Sequence, residues 1–154
     1  MTLTRLLVGL TAVAGSVLLA APAYAATGQV DGNITVSGSS CSWTNATTSD
    51  VAPNTLTIDH TTVHPSCSGS ITASLTNDPT VTFDDTAGTV TAPEVDVNGT
   101  VFGITCSYKV SNVSYSRQGT GRAYTGGPFT ATLSGGGGLC PATENVDSAS
   151  LTFH

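Results

Sequence analysis

Positive charge is almost missing from this chain. Four Lys and Arg stand against ten Asp and Glu in 154 residues, a formal net charge of −6, and charged residues of either sign reach only 9%. After Arg5 the cations are Lys109, Arg117 and Arg122 alone. That scarcity excludes a basic groove for nucleic acid and a polybasic patch for anionic membranes. Aromatic residues are few, at 6%, and Trp43 is the single tryptophan. No C-x-x-C pair, no G-x-S-x-G nucleophile elbow and no calcium-loop spacing occurs. The sequence therefore carries no recognised cofactor, metal or hydrolase motif, and the expectation is a protein that is not an enzyme and holds no cofactor. Helical periodicity is also lacking beyond residue 25.

One long hydrophobic run is present, at the N-terminus. Arg5 precedes the apolar stretch Leu6 to Ala20, and Ala23-Tyr24-Ala25 sets small residues at −3 and −1 of a cleavage site. This is the pattern of a secretory signal peptide, and the run is shorter than the roughly 20 residues a membrane-spanning helix needs. The expected organisation is a signal peptide over 1–25 and one domain over 26–154, released outside the cell. No cysteine stands immediately after the cleavage point and no second hydrophobic tail exists, so no stable membrane anchor is expected after cleavage. All four cysteines, Cys41, Cys67, Cys106 and Cys140, lie in the exported part. An even number there reads as two disulfides. Three connectivities are open; Cys41–Cys67 with Cys106–Cys140 is favoured because each pair then lies within its own half.

Thr (27 residues) and Ser (17) make up over a quarter of the chain, with Gly at 17. Thr and Val favour pleated strands, and Gly, Pro, Asn and Asp favour the turns between them. Alternation marks strands around Val30/Ile34/Val36, Leu56/Ile58, Ile71/Ala73/Leu75, Val81/Phe83, Val101 to Val110, Val113/Tyr115, Phe129/Ala131/Leu133 and Leu151/Phe153. Turn signals separate them at Asn77-Asp78-Pro79, Asp84-Asp85, Asn98-Gly99, Gly126-Gly127-Pro128 and Gly135 to Gly138. Asn98-Gly99 is expected to turn a hairpin. Strands at this spacing without intervening helices predict an all-β domain, a single antiparallel β-sandwich, Ig-like or related. The immunoglobulin Cys…Trp…Cys pattern itself is missing, since Trp43 follows Cys41 by only two positions.

Few residues bear distinctive chemistry. Asp59-His60 and His64 could contribute to a metal or general-base site. On an extended chain, however, the two imidazoles sit about 13 Å apart, and strand–loop surface histidines are the expectation. Carboxylates for sugar hydrolysis could come from Asp78, Asp84, Asp85, Glu94 and Asp96, yet Asp84 and Asp85 point to opposite faces of a strand. The segment Lys109 to Tyr124 concentrates the positive charge, and Arg117, Arg122 and Tyr124 form a candidate binding surface, with Trp43 as a second. The alternative is a hairpin turning at Gly119–Gly121 with its arginines paired to nearby acids. Four Asn-x-Ser/Thr sequons, at Asn33, Asn45, Asn98 and Asn112, accompany the high Thr and Ser content.

Gly88-Thr89-Val90-Thr91-Ala92-Pro93, Ile104-Thr105-Cys106-Ser107-Tyr108, Leu139-Cys140-Pro141 and the terminal Ala149-Ser150-Leu151-Thr152-Phe153 resemble a group of small exported actinobacterial proteins. The resemblance implies that Cys106 and Cys140 pair, and it adds no activity. A weaker likeness is to the neocarzinostatin-type apoproteins of enediyne antibiotics, also acidic exported β-sandwiches with four cysteines; it departs in the wider cysteine spacing here. The function expected is binding, or a surface role, at the cell envelope or outside the cell. A small-ligand carrier is the second reading and a secreted hydrolase the third. The partners left open are an extracellular protein or a small molecule.

Overall fold

The computed structural model describes residues 27–154; the signal peptide expected over 1–25 lies outside the described residues. Thr- and Val-rich segments form eleven antiparallel strands: β1 (Gly28–Val36), β2 (Ser39–Thr48), β3 (Leu56–Thr57), β4 (Ser66–Cys67), β5 (Ile71–Leu75), β6 (Thr80–Asp84), β7 (Thr89–Val101), β8 (Ile104–Arg117), β9 (Ala123–Gly126), β10 (Phe129–Gly136) and β11 (Thr143–Phe153). The only helical piece among the described residues is a 3-10 turn at His60–Thr62. No helix there is long and apolar enough to cross a membrane.

At one end the hydrogen-bonded path returns on itself. β1 pairs with β2 and β11, β11 with β9, β9 with β8, β8 with β7, β7 with β6 and β6 with β3. The ring closes where Thr48 pairs with Ile58, flanked by Ser49 N–H donating to Thr57 O at 2.9 Å and Asp59 N–H to Thr47 O at 2.9 Å. At the opposite end β10 replaces β9 between β8 and β11. There β4 pairs with β2 and β5 with β7, but no strand pairing joins β4 to β5 among the described residues. One end is thus continuous and the other split.

Two asparagines explain how single strands serve both ends. Along β8, Cys106, Tyr108 and Val110 are buried, and then Val113. Strict alternation would turn Val113 outward; Asn112, with φ 55, inverts the phase. Asn45, with φ 57, does the same in β2 between Cys41 and the buried Ala46 and Thr48. Asn tolerates the left-handed region better than other side-chain-bearing residues. The Asn98-Gly99 turn expected from the sequence is not formed. Both residues lie inside β7, paired with Ser107 and Cys106 of β8 and with Ser74 and Ala73 of β5. The hairpin turns instead at Phe102-Gly103, which keeps β7 and β8 paired from Thr89↔Ser116 to Val101↔Ile104.

The continuous end holds the dense core. Val30, Ala46, Leu56, Ile58, Val90 and Tyr124 are buried there with Phe153. Phe83, Tyr124 and Phe153 meet edge-to-face, with centroids 5.0–6.1 Å apart, the geometry in which ring quadrupoles attract. Trp43 packs against this cluster, and Gly32 beside it leaves the room a side chain would take from the indole. Both disulfides brace the split end. Cys41–Cys67 ties β2 to β4, and Cys106–Cys140 ties β8 to the loop before β11.

Candidate functional site

Because the split end lacks the aromatic plug of the other, its interior stays open. A cavity of about 540 Å³ runs inward from the β1–β2, β7–β8 and β10–β11 turns. Its wall is mostly aliphatic, with Ile34, Val97, Ile104, Val110, Ala131 and Val146 among the contributors. Tyr108, Tyr115 and Phe129 add aromatic surface, the last two edge-to-face at 5.6 Å. At the mouth Phe102 is 86% exposed and Leu139 78%.

Polar groups on this wall are few and placed singly. The Tyr108 hydroxyl donates to Pro141 O at 3.2 Å. Burial raises its pKa above the ordinary tyrosine value, and the nearby Glu144 charge adds to the rise. Burial pushes Tyr115 up to about 12. Glu144 stands half-buried at the mouth, accepting from Ser37 Oγ at 3.4 Å. Asn98 Oδ1 is buried on the wall with no hydrogen-bond partner among the described residues. Buried polar atoms are ordinarily satisfied, so an orphan beside open volume marks a place where a further molecule can bond. A second orphan, Trp43 Nε1, adjoins a smaller recess of about 100 Å³ deeper in the interior.

The residues singled out from sequence lie elsewhere. Arg117 and Arg122 converge on Asp85 in the β6–β7 turn, Arg122 with Nη2 to Oδ2 at 2.9 Å. Hydrogen bonds from Arg122 hold the Asp85 carboxyl below the usual carboxylate range. Tyr124 lies beneath them with no exposed surface, its ring within 5.8 Å of the Arg117 guanidinium. Trp43 is half-buried on β2, on the wall of the smaller recess. Glu94 pairs with Lys109 at 2.9 Å, and Asp84 accepts from Ala87 N–H at 2.9 Å in the same turn as Asp85.

His60 meets Asp78 at 2.6 Å through Nδ1, and Asp59 lies close enough for the three to share an ion; His64 is not among them. Each carboxylate already has an internal role: Asp59 accepts from Thr61 N–H at 2.9 Å, and Asp78 from His60 N–H at 2.9 Å. The Asp78 carboxyl is lowered first by that backbone hydrogen bond. None of His60, His64 and His154 lines the large cavity.

Sequence reasoning missed Phe102, Leu139, Asn98 and Glu144. The available signals were a Phe-Gly pair between two alternating runs, and a Leu following four glycines next to a cysteine. Known protein families, characterised proteins and solved structures were compared with the chain, and none matches it.

Proposed function

We propose that the chain is an exported, non-catalytic β-sandwich that holds a small apolar ligand between its walls. The observation that carries this reading is the 540 Å³ interior space, lined by aliphatic and aromatic side chains, at the disulfide-braced end of the domain. Its volume falls in the range of roughly 300–1,000 Å³ typical of ligand pockets. Unfilled apolar volume forfeits packing, so an occupant stabilises the domain by binding the folded state alone. Two disulfides favour an oxidising compartment, in keeping with export through a leader over 1–25.

The test is fluorescence titration with the neutral apolar probe N-phenyl-1-naphthylamine. The chain from Ala26 should bind it saturably, near one per molecule, with a rise in melting temperature. Val97→Phe and Ala131→Phe both project bulk into the cavity. Each should weaken probe binding about tenfold or more, which corresponds to at least about 1.4 kcal/mol. Non-saturable binding, or binding indifferent to both substitutions in folded protein, would overturn the reading. Export is checked separately, by mass spectrometry of protein recovered from culture medium, where Ala26 should be the first residue.

A further inference from the structure

The polar groups of the cavity narrow the ligand's chemistry. Glu144 lines the mouth, and no cation among the described residues pairs with it. Lys109 is held by Glu94 at 2.9 Å and Asp96 at 3.9 Å, Arg117 and Arg122 by Asp85 at the far end, His60 by Asp78, and His154 by Asp31 at 3.3 Å. The Ser37 hydroxyl reaches Glu144 only at 3.4 Å, and the Tyr108 hydroxyl is engaged by the Pro141 carbonyl. Deeper along the wall, Asn98 Oδ1 is an acceptor without a donor. No Lys, Arg or His lines the space at all.

An anionic ligand would therefore bring its charge towards Glu144 in an apolar setting with nothing to neutralise either, the arrangement that burial penalises most. A ligand ammonium would instead pair with Glu144, and a ligand N–H or O–H would satisfy Asn98. We propose that the cavity selects lipophilic amines, with the apolar body between the walls and the protonated amine at Glu144 in the mouth, and that it discriminates against carboxylate amphiphiles. This deepens the ligand-cavity reading and rests on it.

The experiment is displacement of N-phenyl-1-naphthylamine at pH 7 by decylamine, decanol and decanoate, which share one chain length and differ in head group. Decylamine should displace at a concentration about tenfold or more below decanoate, with decanol between them. Glu144→Gln should bring decylamine to the level of decanol, each displacement being referred to the probe affinity of that variant. Glu94→Gln, an equal change of charge at a residue that does not line the cavity, should leave the order intact. Decanoate displacing as well as decylamine, or the amine preference surviving Glu144→Gln, would overturn the selectivity while leaving the cavity reading standing. Equal erosion of the preference by Glu94→Gln would assign it to net charge and overturn it too. Failure of the probe and all three amphiphiles to bind by calorimetry would overturn both readings together.

Discussion

At the tip of the β7–β8 hairpin, Phe102 stands at φ 49 with 86% of its surface in solvent. Each part of that placement is unfavourable on its own. The left-handed region costs a bulky L-residue about 1 kcal/mol or more, and tight hairpin turns of this hand prefer Asn or Gly at the first position. Exposing a phenyl ring also returns nothing to folding. A local cost without a local return is the mark of a residue kept for contact with something else, and Phe102 lies on the cavity mouth. Phe102→Asn should therefore raise stability by about 1 kcal/mol in urea unfolding while weakening binding of N-phenyl-1-naphthylamine severalfold. Unchanged binding would remove Phe102 from the site. From the sequence alone this turn was hidden, because Asn98-Gly99 four residues earlier is the stronger turn signal and only the pairing with both β5 and β8 keeps it extended.

Among the elements, the chain was most legible where alternation runs unbroken. Val81/Phe83, Phe129/Ala131/Leu133 and Leu151/Phe153 fall in β6, β10 and β11, and all four cysteines pair within their own halves. It was least legible where a residue inverts the phase. β2 offers only Cys41, Trp43 and Ala46 as apolar positions, and Asn45 shifts their parity, so period-two reading finds no strand there. For the same reason β8 reads as two strands, one ending at Val110 and one starting at Val113, although it is a single strand from Ile104 to Arg117. The inversion at Asn112 is what lets β8 bury Tyr108 at the split end and Val113 nearer the other. A β-branched residue is strongly disfavoured at that φ of 55. Asn112→Val should thus lower stability by about 1–2 kcal/mol, whereas Asn112→Gly should be close to neutral, as read by thermal unfolding. Equal effects of the two would show that side-chain contacts of Asn112, rather than its backbone conformation, matter.

The candidate site was the least legible part, since it arises only when the whole molecule closes at one end and not at the other. Its walls come from seven strands, and of its polar members Asn98 reads in sequence as part of a turn while Glu144 carries no signal of its own. The same asymmetry governs the response to pH. Carboxylates at the continuous end accept hydrogen bonds from neighbouring strands and turns: Asp31 accepts from Asn45 N–H at 2.7 Å, Asp78 from His60 N–H, and Asp85 from both arginines. All three are lowered from the ordinary 3.8, Asp31 and Asp78 chiefly by those backbone hydrogen bonds and Asp85 by Arg122. A lowered carboxylate contributes stability that is fully present above its unfolded value and is lost as pH falls through the folded one. The acid limb of unfolding should therefore begin just below pH 4. At the other extreme, Tyr115 is raised from 10.0 to about 12 by burial. Its neutral form is the one the fold retains, so its contribution is complete below pH 10 and is lost as pH climbs towards 12. Urea unfolding across pH should show a plateau between these limits. Asp85→Asn should make the acid limb shallower, and Tyr115→Phe should flatten the alkaline one. An alkaline limb unchanged by Tyr115→Phe would mean that this hydroxyl meets solvent through the cavity, which would then be filled with water rather than kept for an apolar guest.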